Sequence, residues 1–373
     1  QLEAVEFEIE NATADSLEVR PPSFRVDVTL PEDLMEEVAR IWGYNKIPAT
    51  YPTIPAEARP ILKPRAVRNR IKRLMTGFGF SETINYSFVS GNSCDNLGLK
   101  KEDPKRRTVA VLNPLSEEQA IMRTSLVPGL LETVQRNLSR QEKNLRLFEI
   151  GKIFLATEPE QLPEEIEILA GLWTGHRTEG GWHSKETPCD FYDMKGVAEG
   201  LMQALGISEF DFRRLPNSRC TYTRPGYSAE ILAPPGKSPG CIGQVHPDVL
   251  KRYDVKQPVY IFEINVDTVL PLIPETKTFK PLPKFPSVSR DVTLIVDQSI
   301  DSGKILRFVE SLEEGLVESL YLFDVFTGKP IPARKKSISF RITYRSASRT
   351  LEDEEVNRLH RDITSKLLEN FNA

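Results

Sequence analysis

Apolar positions along the chain fall into helix-spaced and strand-spaced runs, and the densest of them lie near the middle. Leu126, Leu130, Leu131, Val134 and Leu138 recur at i, i+4, i+5, i+8 and i+12, the stripe of an amphipathic helix, and Pro128 sits in its opening turn, where a missing N–H costs little. Directly afterwards Leu145, Leu147, Phe148, Ile150, Ile153 and Phe154 crowd together around Gly151. That run predicts a buried strand that breaks at the glycine and turns into a second one. A helix laid across an antiparallel sheet is therefore the expected core.

The chain opens with alternating Val5, Phe7 and Ile9, a predicted strand, and a second is predicted at 24–28 after Pro21 and Pro22. Residues 31–42 read as a helix that begins with proline and acids, as the macrodipole favours, and stops at Gly43. Pro48, Pro52, Pro55, Pro60 and Pro64 then form a stiff linker. The unit from 61 to 270 starts with a helix carrying Val67, Ile71, Leu74 and Met75, then predicted strands at 83–89 and 108–112. Beyond the central helix come strands at 166–173, 229–232, 240–245 and 259–266, with a helix through Val197, Leu201 and Leu205 ending at Gly206. Helices flanking many strands without regular β-then-helix alternation point to an antiparallel α+β sheet and away from a Rossmann unit. A second proline cluster, from Pro271 to Pro286, precedes strand 291–296, helix 303–312, strands 316–325 and 337–344, and helix 351–371. That order is β-α-β-β-α, ferredoxin-like short of its last strand.

Length and composition add bounds. A chain of 373 residues has room for two or three domains, and 39% hydrophobic with 27% charged residues is ordinary for a globular protein. No long uncharged apolar run is present, so no membrane span is expected. Gln1, with no basic-then-apolar leader after it, reads as the start of a piece of a longer chain. Cys94, Cys189, Cys220 and Cys241 lie far apart without a C-x-x-C pair, which argues for free thiols in a reducing cytoplasm. The net charge of −4 hides a segregation: residues 1–60 hold 12 acids and 5 bases, whereas Lys63, Arg65, Arg68, Arg70, Lys72 and Arg73 form an acid-free basic run. A second acid-free stretch carries Lys329, Arg334, Lys335, Lys336, Arg341, Arg345 and Arg349. Either patch suits phosphate or a solvated face.

Asp33, Glu36 and Glu37 fall at i, i+3 and i+4 on one helix face, and Asp27 is expected on the adjoining strand. Hard oxygen donors without His or Cys suit Mg²⁺, although acids in a first helical turn also serve the dipole. Other motifs fall away. Gly236-Lys-Ser lacks the upstream glycine of a P-loop, Gly226-Tyr-Ser-Ala-Glu lacks the closing glycine of a nucleophile elbow, and Gly77-Phe-Gly lacks the third glycine of a dinucleotide turn. His246, followed by Pro247 and Asp248, is read as a packing or capping residue.

Longer strings carry a resemblance. Arg20-Pro-Pro-Ser-Phe-Arg-x-Asp27, Asp33-Leu-x-Glu-Glu-Val-Ala-Arg40 and Gly43-Tyr-x-x-Ile-Pro48 resemble the B5 module of the bacterial phenylalanyl-tRNA synthetase beta subunit family. Arg123-Thr-Ser, Phe148-Glu-x-Gly151, Leu112-Asn-Pro-Leu-Ser116, Asp190-Phe-Tyr-Asp-x-Lys-Gly196 and Ile242-Gly-x-Val-His-Pro247 are similar to its synthetase-like domain. Phe285-Pro-Ser-Val-Ser-Arg-Asp291 and Leu322-Phe-Asp-Val-Phe-Thr-Gly328 are similar to its ferredoxin-fold anticodon-binding domain.

The resemblance implies a partial B5 module at 1–60, a class II aminoacyl-tRNA synthetase-like domain at 61–270 and the anticodon-binding domain at 281–373. It implies structural Mg²⁺ on Asp27, Asp33, Glu36 and Glu37 near the contact with an alpha subunit, in a heterotetramer of two alpha and two beta chains. ATP would be used at the alpha subunit, because the Gly-rich motif with its arginine is absent from the strand after His246 and no cationic grip on phosphate is left. Misacyl-tRNA hydrolysis is expected to be missing. Arg334, Lys335, Lys336, Arg341, Arg345 and Arg349 are the candidates for RNA contact, with Tyr344 as a stacking partner. The alternatives are a stand-alone RNA-binding protein, marked by tight RNA binding without an alpha partner, and a self-sufficient ligase, marked by phenylalanine-dependent pyrophosphate exchange.

Overall fold

The computed structural model describes residues 1–51, 62–158, 161–216, 220–234, 236–276, 278–279 and 281–372. It is mixed α+β and divides into two compact units, one of Gln1–Leu201, Phe212–Ile231 and Ser238–Leu270, the other of Met202–Asp211, Leu232–Lys237 and Pro271–Ala373. Part of the first proline linker, including Pro52, Pro55 and Pro60, lies outside the described residues. No helix among the described residues is long and apolar enough to cross a membrane.

The first unit opens with a two-stranded antiparallel ribbon, β1 (Glu8–Ala12) and β2 (Leu17–Arg20), followed by α1 (Pro31–Trp42). The expected strands are displaced. Residues 3–5 make a 3-10 turn, and 24–28 is a turn in which Pro22 accepts from the Arg25 N–H and Arg25 from the Val28 N–H. Alternating apolar residues misled the reading there, because Phe24 and Val26 face solvent and only Val28 joins Leu2 and Phe7 in a small core. Asp27 therefore sits in a turn and not on a strand.

Helix α2 (Lys63–Gly77), β3 (Ser81–Glu82) and β4 (Phe88–Val89) come next, then the single turn α3 (Ser93–Asn96) and β5 (Ile121–Met122). Of the strand expected at 83–89 only Phe88–Val89 is a strand; β3 ends before it at Glu82, and Ile84 and Tyr86 between the two are exposed. The one expected at 108–112 is an isolated bridge from Ala110 to Ile121. Helix α4 (Val127–Leu138) is the predicted amphipathic helix, its Val127, Leu130, Leu131 and Val134 wholly buried.

Strands β6 (Leu145–Leu155) and β7 (Glu164–Thr174) pair antiparallel along their whole length, from Leu145 opposite Thr174 to Leu155 opposite Glu164. Gly151 does not break β6. Its missing side chain admits the Arg123 guanidinium, which a Cβ at this position would strike. After the short β8 (His176–Thr178) and β9 (Thr187–Pro188) come α5 (Phe191–Leu205), β10 (Asp211–Arg214), β11 (Thr223–Ala233), β12 (Lys237–Val245), α6 (Pro247–Arg252), β13 (Val259–Asn265) and α7 (Val266–Val269). The sheet order is β10-β11-β12-β13-β7-β6-β3, with β3 parallel to β6 and the β12, β13, β7 and β6 neighbours antiparallel. Strands buried on both faces read as continuous apolar runs, which is why the centre of the sequence lacks clean alternation.

The second unit carries β14 (Val288–Asp297), α8 (Ser302–Ser311), β15 (Val317–Phe326), β16 (Lys335–Tyr344) and α9 (Asp353–Phe371), the expected β-α-β-β-α order. Its antiparallel sheet runs β14-β16-β15. Ile305 and Val309 of α8 with Val356, Ile363 and Leu367 of α9 cover one face, packing on Leu294, Val296, Phe340 and Ile342. Alternate residues on the strands face away from these helices.

Candidate functional site

Near the start of the chain, Arg25 organises the carboxylates. Its guanidinium donates to Asp27 (Nη2 to Oδ2, 2.7 Å) and to Glu37 (3.0 Å), while Arg40 donates to the other Glu37 oxygen at 2.6 Å. Hydrogen bonds from Arg25 and then Arg40 pull the Glu37 carboxyl down to about 2, and the bond from Arg25 lowers that of Asp27. Asp33 accepts from the backbone N–H groups of Thr29 and Leu30 at 2.8 and 2.7 Å, which lower its pKa and brace the entry to α1. Glu36 is exposed on the same helix. Asp27 and Glu37 thus share one cation, a guanidinium, and among the described residues no three His, Cys, Asp or Glu side chains converge as a metal cage.

In the large sheet, Arg123 and Glu149 are both buried and joined at 2.6 Å; Arg123 also donates to the Lys152 carbonyl at 2.9 Å, and Glu149 accepts from Asn85 Nδ2 at 2.7 Å. Arg68, from the basic run, is spent on Glu167 and on the Ile150 carbonyl. A second buried carboxylate, Glu263, accepts from Lys105 (2.5 Å), Tyr222 (2.5 Å), Ser125 (2.7 Å) and the Leu126 N–H (3.2 Å), fixing the start of α4. Burial pushes its pKa up, but Lys105 and these hydrogen bonds outweigh that and hold it low. Lys105 and Glu263 line a cavity of about 510 Å³ over the apolar floor of Ile153, Leu155, Ile166 and Ile168. The charges around it are Lys100 and Lys105 against Glu102, Asp103, Glu230 and Glu263, an acid excess that suits no polyphosphate. His246 caps α6 through Nδ1, which accepts from the Asp248 N–H, as its sequence neighbours imply.

On the small sheet, Asp291, Arg341 and Tyr321 stand side by side on the face away from the helices. Arg341 makes a two-pronged bond to Asp291 at 2.8 and 2.9 Å and lies 5.5 Å from the Phe323 ring centre. Tyr321, Phe323 and Phe326 are all exposed there. Arg345 is turned inward, to Glu318 at 2.8 Å and the Phe285 carbonyl at 2.7 Å, and Arg349 forks onto Glu355. Lys335 and Lys336 lie at the start of β16, and Arg334 before it takes the left-handed φ of 65°. Tyr344 is fully buried and bonded to His360 at 2.9 Å, so it cannot stack on a base. The exposed aromatics are instead Tyr321, Phe323 and Phe326 of β15, spaced by two and then three residues across a register shift at Leu322/Asp324, so strict alternation in the sequence does not place all three on one face.

An acid-rich opening module, a large sheet with buried ion pairs and a small sheet with an open aromatic face make a multi-module α+β protein. The family models agree. Residues 1–44 match the tRNA synthetase B5 domain, 47–266 the phenylalanyl tRNA synthetase beta chain CLM domain and 283–373 the ferredoxin-fold anticodon binding domain. The chain belongs to the phenylalanyl-tRNA synthetase beta chain family. It is 39% identical over 369 residues to the phenylalanine–tRNA ligase beta subunit of Syntrophus aciditrophicus and 37% identical over 369 residues to that of Geobacter sulfurreducens, in each case across 99% of this chain and 46% of the relative. The beta subunit of Geobacillus kaustophilus is 36% identical over 356 residues, 95% of this chain and 43% of its own length. The chain thus spans less than half the length of these curated relatives.

Proposed function

We propose that this chain works as a non-catalytic part of phenylalanine–tRNA ligase in the cytoplasm, within a complex of two alpha and two beta subunits. The alpha subunit would form the phenylalanyl adenylate from ATP, and this chain would supply subunit contacts and tRNA docking. The observation that carries the reading is the internal use of Arg123 on Glu149 together with the acid-rich cavity, which among the described residues offer the phosphates of ATP no cationic grip at these two places. Residues 61–270 are then a class II synthetase-like scaffold kept for shape, between a B5 module at 1–60 and an anticodon-binding domain at 281–373. A subunit contact is supported by Ile84, Tyr86, Leu112 and Leu115, large hydrophobic side chains that are each at least 77% exposed.

The small sheet would receive tRNA on its open face, bases stacking on Tyr321 and Phe323, with Arg341 and the Arg334, Lys335 and Lys336 turn meeting phosphates. Arg345 and Arg349 would join only after giving up Glu318 and Glu355. Asp27, Asp33, Glu36 and Glu37 would hold Mg²⁺ if Arg25 swings away and Arg40 releases Glu37; Asp27 and Glu37 already meet on the Arg25 guanidinium. Bound there, the ion would stiffen the module structurally.

The test is co-expression with an alpha subunit, followed by phenylalanine- and ATP-dependent aminoacylation with and without this chain. Co-purification, with activity only for the pair, is expected. Pyrophosphate exchange by this chain alone, or tight RNA binding with no alpha association, would overturn the reading.

A further inference from the structure

Cys220 and Cys241 lie 21 residues apart in the chain, yet their sulfur atoms are 2.7 Å from each other. A disulfide requires two sulfurs to meet, and here they already do. Both side chains are partly buried and line the 510 Å³ cavity, whose rim carries the exposed Lys100 and Glu102, so small solutes reach them from solvent. Around the pair stand groups able to steer chemistry. The Tyr222 hydroxyl is 3.4 Å from the Cys241 sulfur, and Lys105 lies 5.1 Å over the Tyr222 ring. Cys220 itself occupies the left-handed region at φ 56°, and the neighbouring Thr221 hydroxyl is buried without a partner among the described residues. Such local strain in a side chain other than glycine persists only where its surroundings enforce it, and it gathers at reactive positions.

We propose that Cys220 and Cys241 form a dithiol modification site, oxidised to a disulfide by hydrogen peroxide admitted through the cavity and bridged by trivalent arsenicals. Cys241 is the attacking sulfur. The hydrogen bond from Cys220 lowers its thiol pKa, against the opposing effect of burial and with further help from Lys105, whereas burial pushes the Cys220 thiol up. The Cys241 thiolate attacks one peroxide oxygen, an S–O bond forms as the O–O bond breaks, and the departing hydroxide takes a proton to become water. The Cys220 sulfur then attacks the Cys241 sulfenic acid, the S–O bond breaks, and a second water leaves with the Cys220 proton. Two thiols have lost two electrons to one peroxide. Cys94 and Cys189 are buried and provide internal controls.

The experiment exposes the reduced, full chain to hydrogen peroxide and counts thiols after denaturation. A fall from four thiols to two is expected, with peptide mapping placing the link between residues 220 and 241. Cys220→Ser should stop the link and let dimedone trap a sulfenic acid on Cys241. Phenylarsine oxide should bind one to one and be lost in either single-serine variant. Four thiols surviving peroxide, a link involving Cys94 or Cys189, or arsenical binding indifferent to both substitutions would overturn the proposal. Mapping on the unsubstituted chain does not depend on either variant folding.

Discussion

Arg123 and Arg341 each face a carboxylate, at 2.6 Å from Glu149 in the large sheet and at 2.8 and 2.9 Å from Asp291 in the small one. The contacts barely differ in length, yet the side chains of the first pair keep 8% and 3% of their surface and those of the second 52% and 45%. A buried pair has already left water, so losing one partner strands the other in a medium that cannot solvate it. An exposed pair is screened, and a phosphate can displace the carboxylate at small net cost. The same two functional groups therefore make a fixed brace in one sheet and an exchangeable surface in the other.

The most severe way to probe this contrast is Arg123→Ala, which leaves Glu149 buried without its counter-ion and should cost about 3–5 kcal/mol in urea unfolding. Gly151→Ala should act in the same direction, since the added methyl meets the Arg123 guanidinium. Replacing both partners together, Arg123→Met with Glu149→Leu, should recover much of the loss. If the single change costs no more than a surface pair, about 0–1 kcal/mol, water reaches Glu149 and the contrast fails. Next in size are Tyr321→Ala and Phe323→Ala, each expected to weaken binding of an anticodon stem-loop RNA by about 1–3 kcal/mol per lost stacking partner, with little change in melting temperature. An unchanged RNA affinity would remove the open face from the docking role.

How far the sequence disclosed these two regions follows from how each is buried. Helix α4 was legible because its stripe, from Leu126 to Leu138, faces a single core, and the β-α-β-β-α order of the second unit was legible because its strands alternate with one wet face. Strand β6 was misread at Gly151, because a glycine needed for a neighbour's guanidinium looks the same in sequence as one needed for a turn. At 24–28 the alternation was present but two of the three apolar side chains face solvent, and periodicity does not say which side is in. Which arginines are occupied was also hidden, because Glu149, Glu318 and Glu355 meet their partners through pairing in space. The cysteine pair, 21 residues apart, was invisible for the same reason.

Smaller effects sharpen the exposed side of the comparison. Arg341→Ala should weaken RNA binding evenly across sequences and reduce the slope of log affinity against log salt by about 1, the mark of one lost phosphate contact. An unchanged slope would mean that Asp291 keeps its arginine in the complex.

The gentlest test concerns the third arginine–carboxylate group, Arg25 with Asp27 and Glu37. Glu37 has its carboxyl drawn from 4.5 down to about 2 by Arg25 and Arg40, so the folded form binds fewer protons than the unfolded chain between those values. The stabilisation is fully present above pH 4.5 and is lost as the pH falls toward 2; the lowered Asp27 and Asp33 act with the same sign. A carboxyl-detected NMR titration should place the Glu37 midpoint near 2, and Glu37→Gln should flatten that part of the stability profile. A midpoint close to 4.5 would mean that neither Arg25 nor Arg40 holds Glu37 in solution, and Glu37 would then be open to Mg²⁺ without a guanidinium to displace.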